Sequence, residues 1–301
     1  MYERIIETAE ELGISVKIDE PLKNYTSFRI GGPADVLIQP DCAETLSKVL
    51  KICKAEKIKP YVIGRGTNIL VSDEGIRGVV IVIGDAFSNI QYCGNNLLKV
   101  QAGASLRKVC RFCLEYSLSG MEFAYGIPGS TGGGVYMNAG AYGGELSDHI
   151  VLVNHMDMAG NQGSYQGKRE LDLSYRHSRY MDEDLIITSV IFYLDKGNPD
   201  AIKMKMDNIM NRRKLKQPLD YPSAGSTFKR PEGHFAAKLI DDCGLRGKTI
   251  GGAQVSEKHA GFLINKGGAT ANDIKELVKY VGDTVEKETG VILEPEIRFF
   301  P

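Results

Sequence analysis

Tyr125–Gly144 reads YGIPGSTGGGVYMNAGAYGG, and this stretch decides how the chain is read. Almost every second residue is glycine, yet it is no linker. Pro128, Tyr136, Met137, Asn138 and Tyr142 stand at fixed places inside it. Glycine reaches positive φ and lacks the Cβ that blocks close approach. Ordering such a run costs conformational entropy, so something must hold it. A ligand rich in phosphate or π surface, gripped by main-chain N–H groups, meets that need.

A second glycine turn lies upstream. Gly64-Arg65-Gly66-Thr67-Asn68 follows the apolar run Tyr61-Val62-Ile63 and precedes Ile69-Leu70-Val71. A strand opening into such a turn presents several N–H groups to an anion. Thr67, Asn68, Ser130 and Thr131 add side-chain donors, so a diphosphate fits. The Rossmann fingerprint is absent, since Gly64-x-Gly66 runs on to Ile69. Walker A is absent too, because Asp242 stands where its first glycine is required before Gly247-Lys248-Thr249. A diphosphate-containing cofactor therefore needs another scaffold. The plainer reading, tight turns between strands, explains one loop more readily than two.

Composition narrows the class. The chain has 301 residues, 43% hydrophobic and 25% charged, with a formal net charge of −1. That is ordinary for a globular protein of two or three domains. No global field draws it to nucleic acid or anionic lipid. The start, MYERIIETAEELG, lacks the apolar core of a signal peptide, and no apolar run approaches a membrane span. The expectation is a cytoplasmic protein. Of the six cysteines, Cys110 and Cys113 form a lone C-x-x-C, best read as two thiols on the buried side of an amphipathic helix. With five scattered histidines, no metal site is expected.

Periodicity gives the elements. Helices are expected at 2–13, 42–56, around Cys110, at 199–214 and at 271–288. Strands are expected near 34–39, 60–63, 78–83, 97–102, 149–158 and 184–194. The last two have no long helix between them, which points to antiparallel pairing. Thr270 reads as an N-cap with Asp273 at N3, and Gly290 closes that helix. A final strand, VILEPEIRFF, alternates, with Ile292, Glu294, Glu296 and Arg298 on one face. Leu293, Ile297 and Phe299 lie on the other, and Pro295 marks an edge or bulge.

Seven motifs in order resemble the UDP-N-acetylenolpyruvoylglucosamine reductase (MurB) family nearly end to end. They are NYTSFRIGGPAD at 24–35, VIGRGTNILV at 62–71, GIPGSTGGGVYMNAGAY at 126–142, YRHSRY at 175–180, AGSTFKRP at 224–231, HAGFLIN at 259–265 and LEPEIR at 293–298. The resemblance implies an α+β chain: an FAD-binding fold of the vanillyl-alcohol oxidase type in two subdomains, plus a C-terminal α/β substrate domain. The division is 1–83, 84–200 and 201–301. Between Tyr180 and Leu194 there is no room for the tyrosine loop of the family's larger type, so the chain resembles the shorter type.

The implied reaction turns an enolpyruvyl ether into a lactyl ether on a UDP-sugar, in peptidoglycan precursor synthesis. NADPH reduces FAD, and flavin N5 then gives hydride to the vinyl carbon. The cofactor would lie on Gly64, Arg65, Gly66, Thr67, Asn68 and Ile69, and on Gly126, Ile127, Pro128, Gly129, Ser130, Gly132, Gly133, Asn138, Gly140 and Ala141. Ser226 matches the proton donor, Arg176 the carboxylate-binding arginine and Glu296 the catalytic glutamate, with Glu294 as second choice. Tyr175, Lys216, Lys229, Arg230 and His259 match substrate-side positions. Arg230 and His259 depart from the larger type, which has neutral polar groups there. Taken alone, Ser226 is a turn serine and Arg176 a surface arginine; Lys216 is a base at a helix C-terminus. A monomer is expected, with no nucleic-acid or membrane partner. The rival readings are a flavin oxidase on the same cofactor fold and a nucleotide-sensing module.

Overall fold

The computed structural model describes residues 2–301, which group into two compact units. The first comprises residues 2–19, 35–65 and 78–211; the second comprises 20–34, 66–77 and 212–301. Each has its own buried apolar core. This grouping does not follow the 1–83, 84–200 and 201–301 division. Residues from both sides of 83 share one core, and 20–34 and 66–77 group with the C-terminal residues.

In the first unit, helix Glu3–Glu11 packs on helix Ala43–Ala55. One sheet has the order Ser15–Pro21, Pro33–Gln39, Ile76–Val82, Tyr61–Ile63, and its last two strands are parallel. The unit boundaries fall inside the first three of these strands. A second sheet of five strands is antiparallel throughout: Gln162–Gln166, Ile150–Asp157, Leu185–Tyr193, Leu97–Gln101, Ile90–Gly94. Leu185–Tyr193 lies at its centre, and six of its nine residues are buried in a row or nearly so, which is why it reads as an apolar run. The short turn Arg179–Met181 leads directly into it.

Helix Leu106–Glu115 carries the C-x-x-C on its inner side. Cys110 donates its thiol to the Met121 carbonyl at 3.1 Å, and burial pushes the Cys113 thiol up to about 12. These are inert, protonated packing residues. Among the described residues no group of three His, Cys, Asp or Glu could hold a metal ion. No helix is long and apolar enough to cross a membrane.

In the second unit, helix Ala271–Thr289 buries Ile274, Leu277, Val278, Val281 and Val285 against strands Thr249–Ile250 and Ala253–Val255. Thr270 Oγ1 accepts from the Asp273 N–H at 3.0 Å, and Asp273 returns a bond to the Thr270 N–H at 2.9 Å. Gly290 ends the helix in the left-handed region at φ 73°. Asp73 makes a further cap from afar, accepting from Ala271 N–H at 2.7 Å and Asn272 N–H at 3.2 Å. The expected ten-residue final strand is shorter. Only Arg298–Phe300 is a strand, paired in parallel with Ile69–Val71. Before it, Pro295 bridges Phe228, and Leu293 and Ile297 are buried while Phe299 is not. Proline has no N–H for a continuous ladder, so the alternation survives but the strand does not.

Capping by Asp73 gives a stability prediction. Asp73→Ala should destabilise the protein by about 1 kcal/mol. Asp73→Asn, which keeps an acceptor, should cost less. Urea denaturation midpoints compare the two.

Candidate active site

The long glycine stretch contains an unanticipated short helix, Thr131–Tyr136, capped by Ser130. Ser130 Oγ accepts from the Gly133 N–H at 3.3 Å. Positive φ within the stretch falls on Gly143 and on the non-glycine residues Asn138 and Tyr142. Most of its glycines therefore serve close packing instead. At Gly132 a Cβ would stand 2.9 Å from the Ala102 Cβ. The two glycine loops also meet: a Cβ on Gly64 would lie 2.6 Å from Ser130 Oγ, with no other atom closer than Ser130 Cβ.

Along each of these loops the main chain is bare. Among the described residues, no protein group accepts the N–H of Gly64, Arg65, Gly66, Thr67 or Asn68, nor those of Gly129 and Ser130. Gly66 and Ser130 are buried and the others half-buried. Native proteins pair nearly all buried groups of this kind, so these donors are open to an acceptor from outside the chain, water or a ligand. A diphosphate suits them, and the residues fit a dinucleotide cofactor. Arg65 is held back by Asp85 at 2.9 Å, and its hydrogen bond keeps that carboxyl below the usual range.

The YRHSRY loop is tied to the same stretch. Asn138 Nδ2 donates to the Ser174 carbonyl at 2.9 Å, and Ser178 Oγ to the Tyr136 carbonyl at 2.7 Å. Ser174 and His177 exchange both main-chain bonds, leaving Tyr175 and Arg176 as the turn. Arg176 takes φ 53°, a costly conformation for a bulky residue. Its guanidinium donates to the Gly140 carbonyl at 3.2 Å and lies over the Tyr175 ring. Tyr175 itself is 51% exposed.

The other candidates stand in the second unit. Gly225, at φ 79°, turns the chain into Ser226, which is exposed. Thr227, fully buried, then locks the segment. Its N–H donates to the Gly261 carbonyl at 2.9 Å, its Oγ1 accepts from Leu263 N–H at 3.1 Å, and its carbonyl accepts from Glu296 N–H at 2.8 Å. Lys229 N–H donates to the Glu294 carbonyl at 2.8 Å. The AGSTFKRP and LEPEIR motifs are thus paired side by side. Thr227 was not among the expected site residues; its position beside Ser226 was the only signal. Lys229 Nζ pairs with Glu294 at 2.5 Å, whereas Glu296 is half-buried. The Arg230 guanidinium lies over the Phe235 ring. Lys216 ends helix Pro199–Lys216 and is exposed. Burial lowers the His259 pKa, and the nearby charges of Arg246 and Lys216 lower it further. Its Nδ1 accepts from Gly261 N–H at 3.2 Å, so the ring is neutral with its proton on Nε2.

Residues 34–163 match the profile of an FAD binding domain, and residues 217–300 that of the UDP-N-acetylenolpyruvoylglucosamine reductase C-terminal domain. A UDP-N-acetylenolpyruvoylglucosamine reductase of Clostridium botulinum (strain 657) is 50% identical over 287 residues, 94% of this chain and 92% of its own. One from Syntrophomonas wolfei is 45% identical over 283 residues, 94% of each. The crystal structure of the Thermus caldophilus reductase superposes with a TM-score of 0.80 at 34% identity, covering 96% of this chain and 99% of that one. An alkyldihydroxyacetonephosphate synthase structure, 12% identical with a TM-score of 0.50 over 65% of this chain and 41% of its own, shares the fold alone. The FAD binding domain profile and the fold shared with the Thermus caldophilus reductase define an FAD-dependent oxidoreductase. The chain belongs to the UDP-N-acetylenolpyruvoylglucosamine reductase family.

Two predictions arise here. Gly64→Ala forces a Cβ against Ser130 Oγ and should lower the flavin content of the purified protein, read from the ratio of visible to protein absorbance. Ser130→Gly added to it should restore part of that content. For His259, the folded pKa lies below the unfolded value, so the unfolded chain binds more protons on acidification. Stability is therefore lost as pH falls through the ordinary histidine value. His259→Gln should lose less stability than the parent between about pH 7.5 and about 5.5, measured by urea midpoints.

Proposed function

We propose that this protein reduces UDP-N-acetylglucosamine enolpyruvate to UDP-N-acetylmuramate at the expense of NADPH and a proton. The observation that supports it best is the pairing of Thr227–Lys229 with Glu294–Glu296, which fixes the backbone carrying both Ser226 and Glu296. The bare N–H groups at Gly64–Asn68, Gly129 and Ser130 would hold FAD. Held there, FAD would supply a two-electron hydride relay between NADPH and the enolpyruvyl group.

The chain's own residues manage the charge that this creates. Negative charge grows on the carbon next to the vinyl terminus and spreads into the substrate carboxylate. Arg176 suits that carboxylate: its planar fork stays charged and gives two parallel bonds. The strained turn and the Gly140 bond restrict the directions it can take. Ser226 supplies the proton to the adjoining carbon; being exposed, it can be reprotonated from solvent. Glu296 stabilises the developing acid or enol. Glu296 is the residue whose N–H the Thr227 carbonyl holds next to Ser226, which favours it over the exposed Glu294 for this task. Lys216 attracts the diphosphate, and neutral His259 offers an Nε2–H donor. Tyr175, Lys229 and Arg230 complete the substrate side. The proposal includes a cytoplasmic monomer working in peptidoglycan precursor synthesis.

Ser226→Ala tests the assignment. Reduction of the flavin by NADPH should keep its rate. Reoxidation by the enolpyruvyl substrate without oxygen should slow by about 100-fold or more, followed by stopped-flow absorbance. Equal loss in both halves would remove Ser226 from the proton-donor role.

A further inference from the structure

Asn68 sits at the end of the short glycine loop, where the resemblance assigns it to the cofactor. Its side chain is engaged elsewhere. Nδ2 donates to the Glu296 carbonyl at 3.0 Å, and its own carbonyl accepts from the Arg298 N–H at 2.9 Å. The Glu296 N–H is meanwhile held by the Thr227 carbonyl. Glu296 therefore has its main-chain donor fixed by the serine segment and its main-chain acceptor fixed by the glycine loop.

Pro295 has no N–H, and its neighbour Glu296 lies outside any strand; the ladder with Ile69–Val71 begins only at Arg298. The 293–297 segment thus lacks a continuous sheet to orient it. Asn68 supplies the missing restraint at the residue that matters. We propose that Asn68 is a positioning residue for the Glu296 carboxyl, acting through the main chain of Glu296 and not through the cofactor. Its N–H, which no protein group accepts among the described residues, stays available to a diphosphate whatever the side chain. One residue thus serves both ends: its N–H for the cofactor loop, its side chain for the main-chain carbonyl of Glu296.

This inference rests on the catalytic reading of Glu296 given above. A shift of about 1 Å in a catalytic group costs on the order of 100-fold in rate, so loss of the restraint should be visible. Asn68→Asp keeps the shape and replaces the donor with an acceptor facing a carbonyl. Asn68→Ser is a second, uncharged variant, too short to reach. Both are compared with the parent for flavin content, for reduction by NADPH, and for anaerobic reoxidation by UDP-N-acetylglucosamine enolpyruvate across pH. In Asn68→Ser, flavin content and the NADPH step should stay near the parent, while in both variants reoxidation per bound flavin slows about 10- to 100-fold and its pH profile shifts. In a Glu296→Gln background, Asn68→Ser should add less than about twofold, because residues acting as one unit are not additive. Loss of flavin in Asn68→Ser, or full multiplicative slowing in that background, overturns the positioning role. If Glu296→Gln alone reoxidises at the parental rate, the catalytic reading of Glu296 falls and this inference with it. If Glu296→Gln is slow and both Asn68 variants are fast, only this inference falls.

Discussion

The structure depends on a requirement that every buried main-chain polar group find a partner. Among the described residues, no protein group accepts the N–H of the buried Gly66 and Ser130, nor those of the half-buried Gly64, Arg65, Thr67, Asn68 and Gly129. Elsewhere around these loops the requirement is met closely: Thr131 N–H and Oγ1 both reach the Ala104 carbonyl, and Gly132 N–H reaches that of Ala102. The contrast within a few residues marks where an outside acceptor belongs. Glycine makes it possible in two ways. It lets the loops touch at Gly64 and Ser130, and it lets the short helix press on the strand end at Ala102.

The same requirement organises the second unit by other means. Here donors and acceptors are matched between segments far apart in sequence: Asp73 with Ala271 and Asn272, Asn265 with Phe28, Thr227 with Gly261 and Glu296, Asn68 with Glu296. Some of these bonds tie a loop to a helix or strand, as Asp73 does at the start of Ala271–Thr289 and Asn265 does from Leu263–Asn265, and others tie loop to loop, as at Thr227 and Asn68. Side chains on such loops gain the precision of the elements behind them.

Much of the local structure was legible. Helical spacing in 271–288 and the Thr270, Asp273 and Gly290 signals gave that helix nearly to the residue. Apolar runs gave strands Ile150–Asp157 and Leu185–Tyr193 and their antiparallel pairing. The failures have physical causes. A helix containing Gly132, Gly133 and Gly134 contradicts propensity, and only its contacts with Ala102 and Leu146 explain it. Alternation in VILEPEIRFF was real, but it came from burial of Leu293 and Ile297 without a ladder. Glu294 and Glu296 looked alike on paper; in the structure Glu294 is exposed and pairs with Lys229, and Glu296 is half-buried.

Sequence by itself determined the kind of chemistry available: two bare-backboned loops for a diphosphate, seven family motifs in order, and the residue types that could move a proton or hold a carboxylate. Tertiary structure alone decided which of these residues are neighbours. That Asn68 turns its side chain to Glu296, that Thr227 joins the serine segment to the glutamate segment, and that residues 66–77 belong with the C-terminal unit all follow from hydrogen bonds spanning tens to hundreds of residues. Such bonds leave no periodicity or composition behind, because each needs only one donor and one acceptor brought together by the fold.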